Sequence, residues 1–147
     1  MRYKPENDGL DHLNVYSKGK TELGRWLTNF AYSPIETEDG HFDSIEGYWY
    51  WISQKDDTLR KLSGWKAKEY GRSISGKDWI DDKEFYRKIK EAIRIKIESN
   101  PRMKALLSNS FIPFAHYYVY GNKIVDVPKA KWILNYLEEL RFEIQGK

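Results

Sequence analysis

Cysteine is absent from this sequence. That excludes a disulfide framework, a thiolate nucleophile and a cysteine-bound zinc, and it suits a reducing compartment. Long hydrophobic runs are also missing. No stretch approaches the ~18 apolar residues of a bilayer span, and residues 1–10 are polar, without the apolar segment of an export signal. The expectation is a soluble, cytoplasmic protein with no membrane partner. Histidine is scarce. His12, His41 and His116 are scattered without metal-ligand spacing, so no metal site is expected. A large charge of one sign is lacking too: Lys plus Arg is 25 and Asp plus Glu is 22, a surplus too small to indicate nucleic-acid binding by itself. No glycine-rich phosphate loop and no nucleophile elbow occurs, and no cofactor is expected. Internal repeats, low-complexity tracts and linkers are absent as well.

The 147 residues fit one domain and can bury a core without staples. Residues 1–13 are polar, contain Pro5 and Gly9, and read as an N-terminal arm; residues 14–147 read as a single domain. Hydrophobic residues make up 40% and charged residues 32%, which sets the chain apart from disordered and membrane classes. Six Trp, eleven Tyr and six Phe are more rings than a small core needs, so some line a pocket or a contact surface.

Local signals divide the chain into short elements. Asn14 to Ser17 suits a short strand, and Lys18 to Gly24 a glycine-containing loop. Glu38-Asp39-Gly40 signals a turn. Asp43 or Ser44 can cap a helix in which Ile45, Tyr48, Trp49 and Ile52 follow the spacing of a buried face. Gly47 inside that helix costs roughly 1 kcal/mol against alanine, which implies a close approach there or simple tolerance. Ser63 to Tyr70 predicts a short helix that Gly71 ends. The clearest helix runs over Asp82 to Ser99, with Phe85, Ile89, Ala92, Ile93 and Ile97 as its apolar stripe. Asn100-Pro101 opens another through Leu107, Gly121-Asn122 turns a small hairpin, and Pro128 opens the last helix. The sum is a helix-rich α+β domain with few short strands.

Three groups of residues offer chemistry. Glu46 sits near a helix start among aromatics, in Ser44-Ile45-Glu46-Gly47-Tyr48-Trp49. A carboxylate on a partly apolar wall can act as general acid or base, although a first-turn glutamate also serves simply to complement the helix dipole. Lys68 and Arg72 stand four residues apart and share one face if Gly71 does not turn the chain away. Arginine can grip a phosphate and a desolvated lysine can become nucleophilic; two solvated cations at a helix end are the plainer reading. Asn29 and Phe30 can fix and stack on a base or ribose, or form a local turn.

The order of these pieces resembles the NADAR family, also called YbiA-like. Its opening is matched by Tyr16-Ser17, Leu27-Thr28-Asn29-Phe30, Pro34, Asp39-Gly40 and Phe42. The landmark "S-x-E-H-Y-x-Q-A-x-K-F" falls on Ser44 to Ser53, and "A-K-x-x-G-R" is intact as Ala67 to Arg72. Trp79, the helix Ile89 to Ile97, Leu106-Leu107 and Leu134 to Arg141 fill the later places, so the likeness spans about residues 14–141. Gly19 to Arg25 is similar to members carried by T-even-type phages. Gly47 stands where the family has His, Tyr50 where it has Gln and Ser53 where it has Lys, and aromatic residues over His116 to Val127 replace a late "D-x-x-W-G".

The resemblance implies hydrolysis of an N-glycosidic bond, with ribosylated riboflavin-pathway intermediates or ADP-ribosyl-guanine in nucleic acid as substrate classes. Glu46 would handle protons at the ribose. A lysine, Lys68 or Lys55, would capture the opened C1 aldehyde as a Schiff base. Asn29 and Phe30 would line the base or ribose site, Lys68 and Arg72 would contact phosphate or ribose, and Trp79 would join the substrate side. Tyr48 and Trp49 would build the wall or belong to the core. The implied partner is ADP-ribosylated nucleic acid or a nucleotide-like small molecule, held in part by the polar arm and the lysine-rich helix over 82–99; in a phage the reaction would undo a host defence in the host cytoplasm. The competing reading is a catalytically inactive module that binds a nucleotide or a protein partner through the aromatic surface around Phe111 to Tyr120.

Overall fold

The computed structural model describes residues 3–75 and 83–146. The architecture is a helix-rich α+β fold, with six helices and three two-stranded sheets among the described residues. None of these helices is long and apolar enough to cross a membrane. The chain packs as two units, one made of Met1–Thr28 with Pro101–Lys147 and the other of Asn29–Asn100.

The first unit is built on a short parallel pair, β1 (Leu13–Asn14) with β4 (Phe114–Ala115). Asn14 is buried and extends this ladder with its side chain, accepting from the Tyr117 N–H and donating to the Tyr117 carbonyl, both at 3.0 Å. Just before β1, His12 is fully buried. Its ring nitrogens meet Asp11 Oδ1 and the Tyr117 hydroxyl, both at 2.6 Å, and the Tyr3 ring stacks on it. The expected loop over 18–24 is only partly a loop. Thr21 accepts from the Gly24 N–H and starts helix α1 (Glu22–Trp26), a cap that the glycines on either side obscure in the sequence. Helix α5 (Pro101–Ser108), the hairpin β5 (Tyr117–Tyr120) with β6 (Lys123–Asp126), and α6 (Lys131–Ile144) complete this unit. Pro128 opens a 3-10 turn that leads into α6.

The second unit begins with the hairpin β2 (Ile35–Thr37) and β3 (Gly40–Phe42), in register Ile35↔Phe42, Glu36↔His41 and Thr37↔Gly40. Helix α2 (Ile45–Gln54) follows directly. Its cap, Ser44, is fully buried; Ser44 Oγ accepts from the Gly47 N–H at 3.0 Å and donates to the Leu62 carbonyl at 2.9 Å. One serine therefore satisfies a helix N-terminus and ties down the 3-10 turn Asp57–Lys61 that returns across α2. Arg60 in that turn donates to the carbonyls of Asp39 and His41 and lies over the Phe42 ring.

Helix α3 (Gly64–Ile74) runs three residues past the expected stop at Gly71. Gly71 does not end the helix because its role is tertiary: a Cβ there would lie 2.2 Å from the Tyr50 ring of α2. Helix α4 (Lys83–Glu98) buries the expected stripe of Phe85, Ile89, Ala92, Ile93 and Ile97; Asp82, expected to open it, lies outside the described residues. Lys96 is buried with that stripe, and burial brings its pKa down to about 7.

Two stability measurements test these packing arguments. In an open helix, glycine to alanine gains roughly 1 kcal/mol. At Gly47 the new Cβ would stand 2.5 Å from the Leu59 carbonyl oxygen, so Gly47→Ala is expected to lower urea-unfolding stability by about 1–3 kcal/mol; a gain would overturn the close approach. For Lys96, between pH 7 and 10.5 the unfolded chain holds a proton that the folded one has lost. Stability contributed by this group therefore rises with pH across that window and is lowest below it. Lys96→Met is expected to flatten that rise and to be more stable than the wild type at pH 6, read by thermal melts across pH.

Candidate functional site

Every described candidate from the sequence falls within the Asn29–Asn100 unit. The convergence begins with backbone. Asn29 accepts from the Glu46 N–H at 2.9 Å, and the next carbonyl, that of Phe30, accepts from the Gly64 N–H at 2.8 Å. Two adjacent carbonyls thus satisfy donors in the first turns of α2 and α3, groups that a helix leaves without internal partners. The Asn29-Phe30 segment fastens both helix starts and fixes where their first-turn side chains project.

Glu46 projects from the first turn of α2. The residue keeps some exposure, but burial around its carboxyl pushes the pKa up to about 7, and the charge of Lys68 draws it back down. Lys68 comes from α3 and places its Nζ 5.6 Å from the centroid of the Phe30 ring and 5.8 Å from that of Trp65. Because α3 continues through Gly71, Lys68 and Arg72 do share a face, and Arg72 is exposed. Asn29, Phe30, Glu46 and Lys68 form one neighbourhood, with Arg72 one turn further along.

The other candidates go elsewhere. Lys55 ends α2 in a left-handed conformation and lies over the Trp51 ring at 4.4 Å. Nine residues of helix, roughly 13 Å of axis, separate it from Glu46, so it stands away from that neighbourhood. Tyr48 is a core residue at 1% exposure, its ring against Phe42 and its hydroxyl donating to Asp39 at 2.7 Å. Trp49 packs edge-on to Phe85 at 4.7 Å and joins α2 to α4. Trp79 lies outside the described residues.

Two residues join the neighbourhood without having been singled out from sequence. Tyr50, one turn after Glu46, covers Gly71. Trp65 stays 60% exposed beside Lys68. A readable signal existed for the second: Trp65, Lys68 and Arg72 stand at i, i+3 and i+7 on one helix.

Chemically, a carboxyl with a pKa near neutrality can both give and take a proton under ordinary conditions. The charge of Lys68 acts on it, the Asn29 carbonyl holds its backbone N–H, and the rings of Phe30 and Trp65 lie about that same lysine. That set can bind a planar or phosphorylated ligand and move one proton at it.

No protein-family model and no curated protein matches the chain. Among solved structures, the NMR structure of the Escherichia coli protein YbiA is similar, with a TM-score of 0.64 and 22% sequence identity, over 91% of this chain and 84% of that one. The likeness shows a shared fold.

The raised pKa of Glu46 has a stability consequence. Between pH 4.5 and 7 the folded protein keeps a proton that the unfolded chain has given up. Stability therefore falls as pH rises through this window, by on the order of 3 kcal/mol once pH exceeds 7. Glu46→Gln removes the ionisation. It is expected to match the wild type near pH 4 and to melt several degrees higher at pH 8; equal melting temperatures at pH 8 would refute the buried carboxyl.

Proposed function

We propose that this protein is a NADAR-type N-glycosidase that hydrolyses the bond between a ribose or ADP-ribose and a nitrogen base. The observation that carries the reading is Glu46: a carboxyl with a pKa of about 7, placed beside Asn29 and within the field of Lys68. The YbiA-like fold supports it, and so do the family landmarks at Glu46 and at Ala67 to Arg72.

In this reading protonated Glu46 gives its proton to the departing base as the C1–N bond breaks, which spares the base from leaving as an anion. Asn29 and Phe30 hold the sugar or base against it. Lys68 is the lysine of choice because it shares the neighbourhood of Glu46, whereas Lys55 stands at the far end of α2. Its amine adds to C1 as the base departs and passes a proton back to Glu46. The C1–O4 bond then opens, O4 taking that proton, to leave an imine, and a water molecule hydrolyses the imine to free the sugar and the amine. Arg72 meets the phosphates. The substrate we favour is ADP-ribosyl-guanine in nucleic acid, and the phage-like segment Gly19 to Arg25 makes reversal of a host defence the fitting setting, in the host cytoplasm.

A second reading has one specific observation behind it. The position of the family His is Gly47, and the Leu59 carbonyl leaves no space for a side chain there. A chain that has closed this position suits an inactive nucleotide- or protein-binding module.

Release of ADP-ribose from guanine-ADP-ribosylated single-stranded DNA decides between them. Wild type is expected to release it, and Glu46→Gln to lose at least a hundredfold in rate, the lower range for general acid–base catalysis of about 10²–10⁴-fold. With Glu46 as the acid, kcat/KM falls as pH rises through about 7. Binding of ADP-ribose without release would establish the inactive module instead.

A further inference from the structure

We propose that Trp65 is the ring on which the base of the substrate stacks, and that it sets the affinity for the base side of the scissile bond. This rests on the glycosidase reading and adds to it a residue that none of the family landmarks contains. A tryptophan at 60% exposure forgoes most of the burial that normally places this side chain inside. Its position gives the exposure a use. The Lys68 Nζ lies 5.8 Å from its ring centroid and 5.6 Å from that of Phe30, so one cation draws the two rings to the same neighbourhood. Glu46 feels the charge of that same lysine.

The surface of α3 continues the logic. Trp65, Lys68 and Arg72 follow one another at i, i+3 and i+7, so a stacking ring and two cations line one face over roughly 10 Å of helix. An aromatic ring followed by cations is the pattern that takes an unpaired base and its phosphates, because every base has a π-face and the backbone carries negative charge. A protein partner would be expected to meet a continuous apolar patch; the helix neighbours of Trp65 here, Lys66, Lys68 and Glu69, are charged.

The test uses guanosine 5′-monophosphate as a binding probe on Glu46→Gln protein by calorimetry, with and without Trp65→Ala, alongside steady-state kinetics on guanine-ADP-ribosylated single-stranded DNA for wild type, Trp65→Ala and Trp65→Phe. Loss of one stacked base corresponds to about 1–3 kcal/mol, so Trp65→Ala is expected to weaken probe binding and raise KM by roughly fivefold or more, with kcat and its pH profile unchanged and Trp65→Phe restoring most of the loss. Equal probe binding and equal KM in Trp65→Ala would overturn the proposal, as would a lowered kcat or shifted pH profile at constant KM, which would make Trp65 a positioning residue for Lys68. If wild type releases no ADP-ribose while probe binding still depends on Trp65, the glycosidase reading falls and the stacking role stands.

Discussion

Two consecutive peptide carbonyls, those of Asn29 and Phe30, hold the starts of α2 and α3 through the N–H groups of Glu46 and Gly64. A helix N-terminus carries donors that need partners and a partial positive charge. Supplying those partners from one short segment brings two helix starts to the same place. Glu46 belongs to the first turn of α2, Lys68 to the second turn of α3, and Phe30 to the segment itself. The neighbourhood of carboxyl, amine and ring is therefore a consequence of backbone hydrogen bonding. Its side chains can be changed without dissolving the arrangement, which is what makes single substitutions there informative about chemistry.

The carboxyl at this place is costly to the fold. Glu46 ionises reluctantly because burial penalises its charge, and Lys68 compensates only in part. Lys96 shows the same conflict with the opposite sign. The two groups act in adjoining pH windows that meet near 7. Both oppose folding in their charged forms, and Glu46 does so within the field of Lys68. A destabilising group retained beside an amide, an amine and two rings is a candidate for function, since active sites are where pKa values are pushed toward working pH.

Much of the fold was legible because local rules were obeyed. Ser44 caps α2 as its sequence suggests, the stripe of α4 is buried as spaced, and Gly121-Asn122 turns the β5–β6 hairpin. The misreadings share one cause. Gly71 carries the mark of a helix stop, yet it sits inside α3 because the Tyr50 ring needs the space. The loop glycines hid the Thr21 cap of α1. Periodicity placed Tyr48 and Trp49 on an apolar face but could not say which neighbours they meet, and these turned out to be the hairpin and α4. Lys55 and Lys68 were equivalent as sequence; only the path of the chain puts one beside Glu46 and the other a helix length away. The spacing of Trp65 with Lys68 and Arg72 was legible, but its exposure is not written in a residue's type.

Gly47 bears on the history open to this chain. Its missing side chain is matched by the Leu59 carbonyl, which occupies the volume a Cβ would need. A histidine could not be introduced at that position by one codon's change, because the Asp57–Lys61 turn would have to withdraw first, and Ser44 holds the end of that turn through Leu62. Substitutions here are thus ordered: the turn must loosen before the helix can acquire a side chain. Any descendant that uses position 47 chemically must pass through intermediates with a weakened turn, and descendants that keep the turn are committed to working without it.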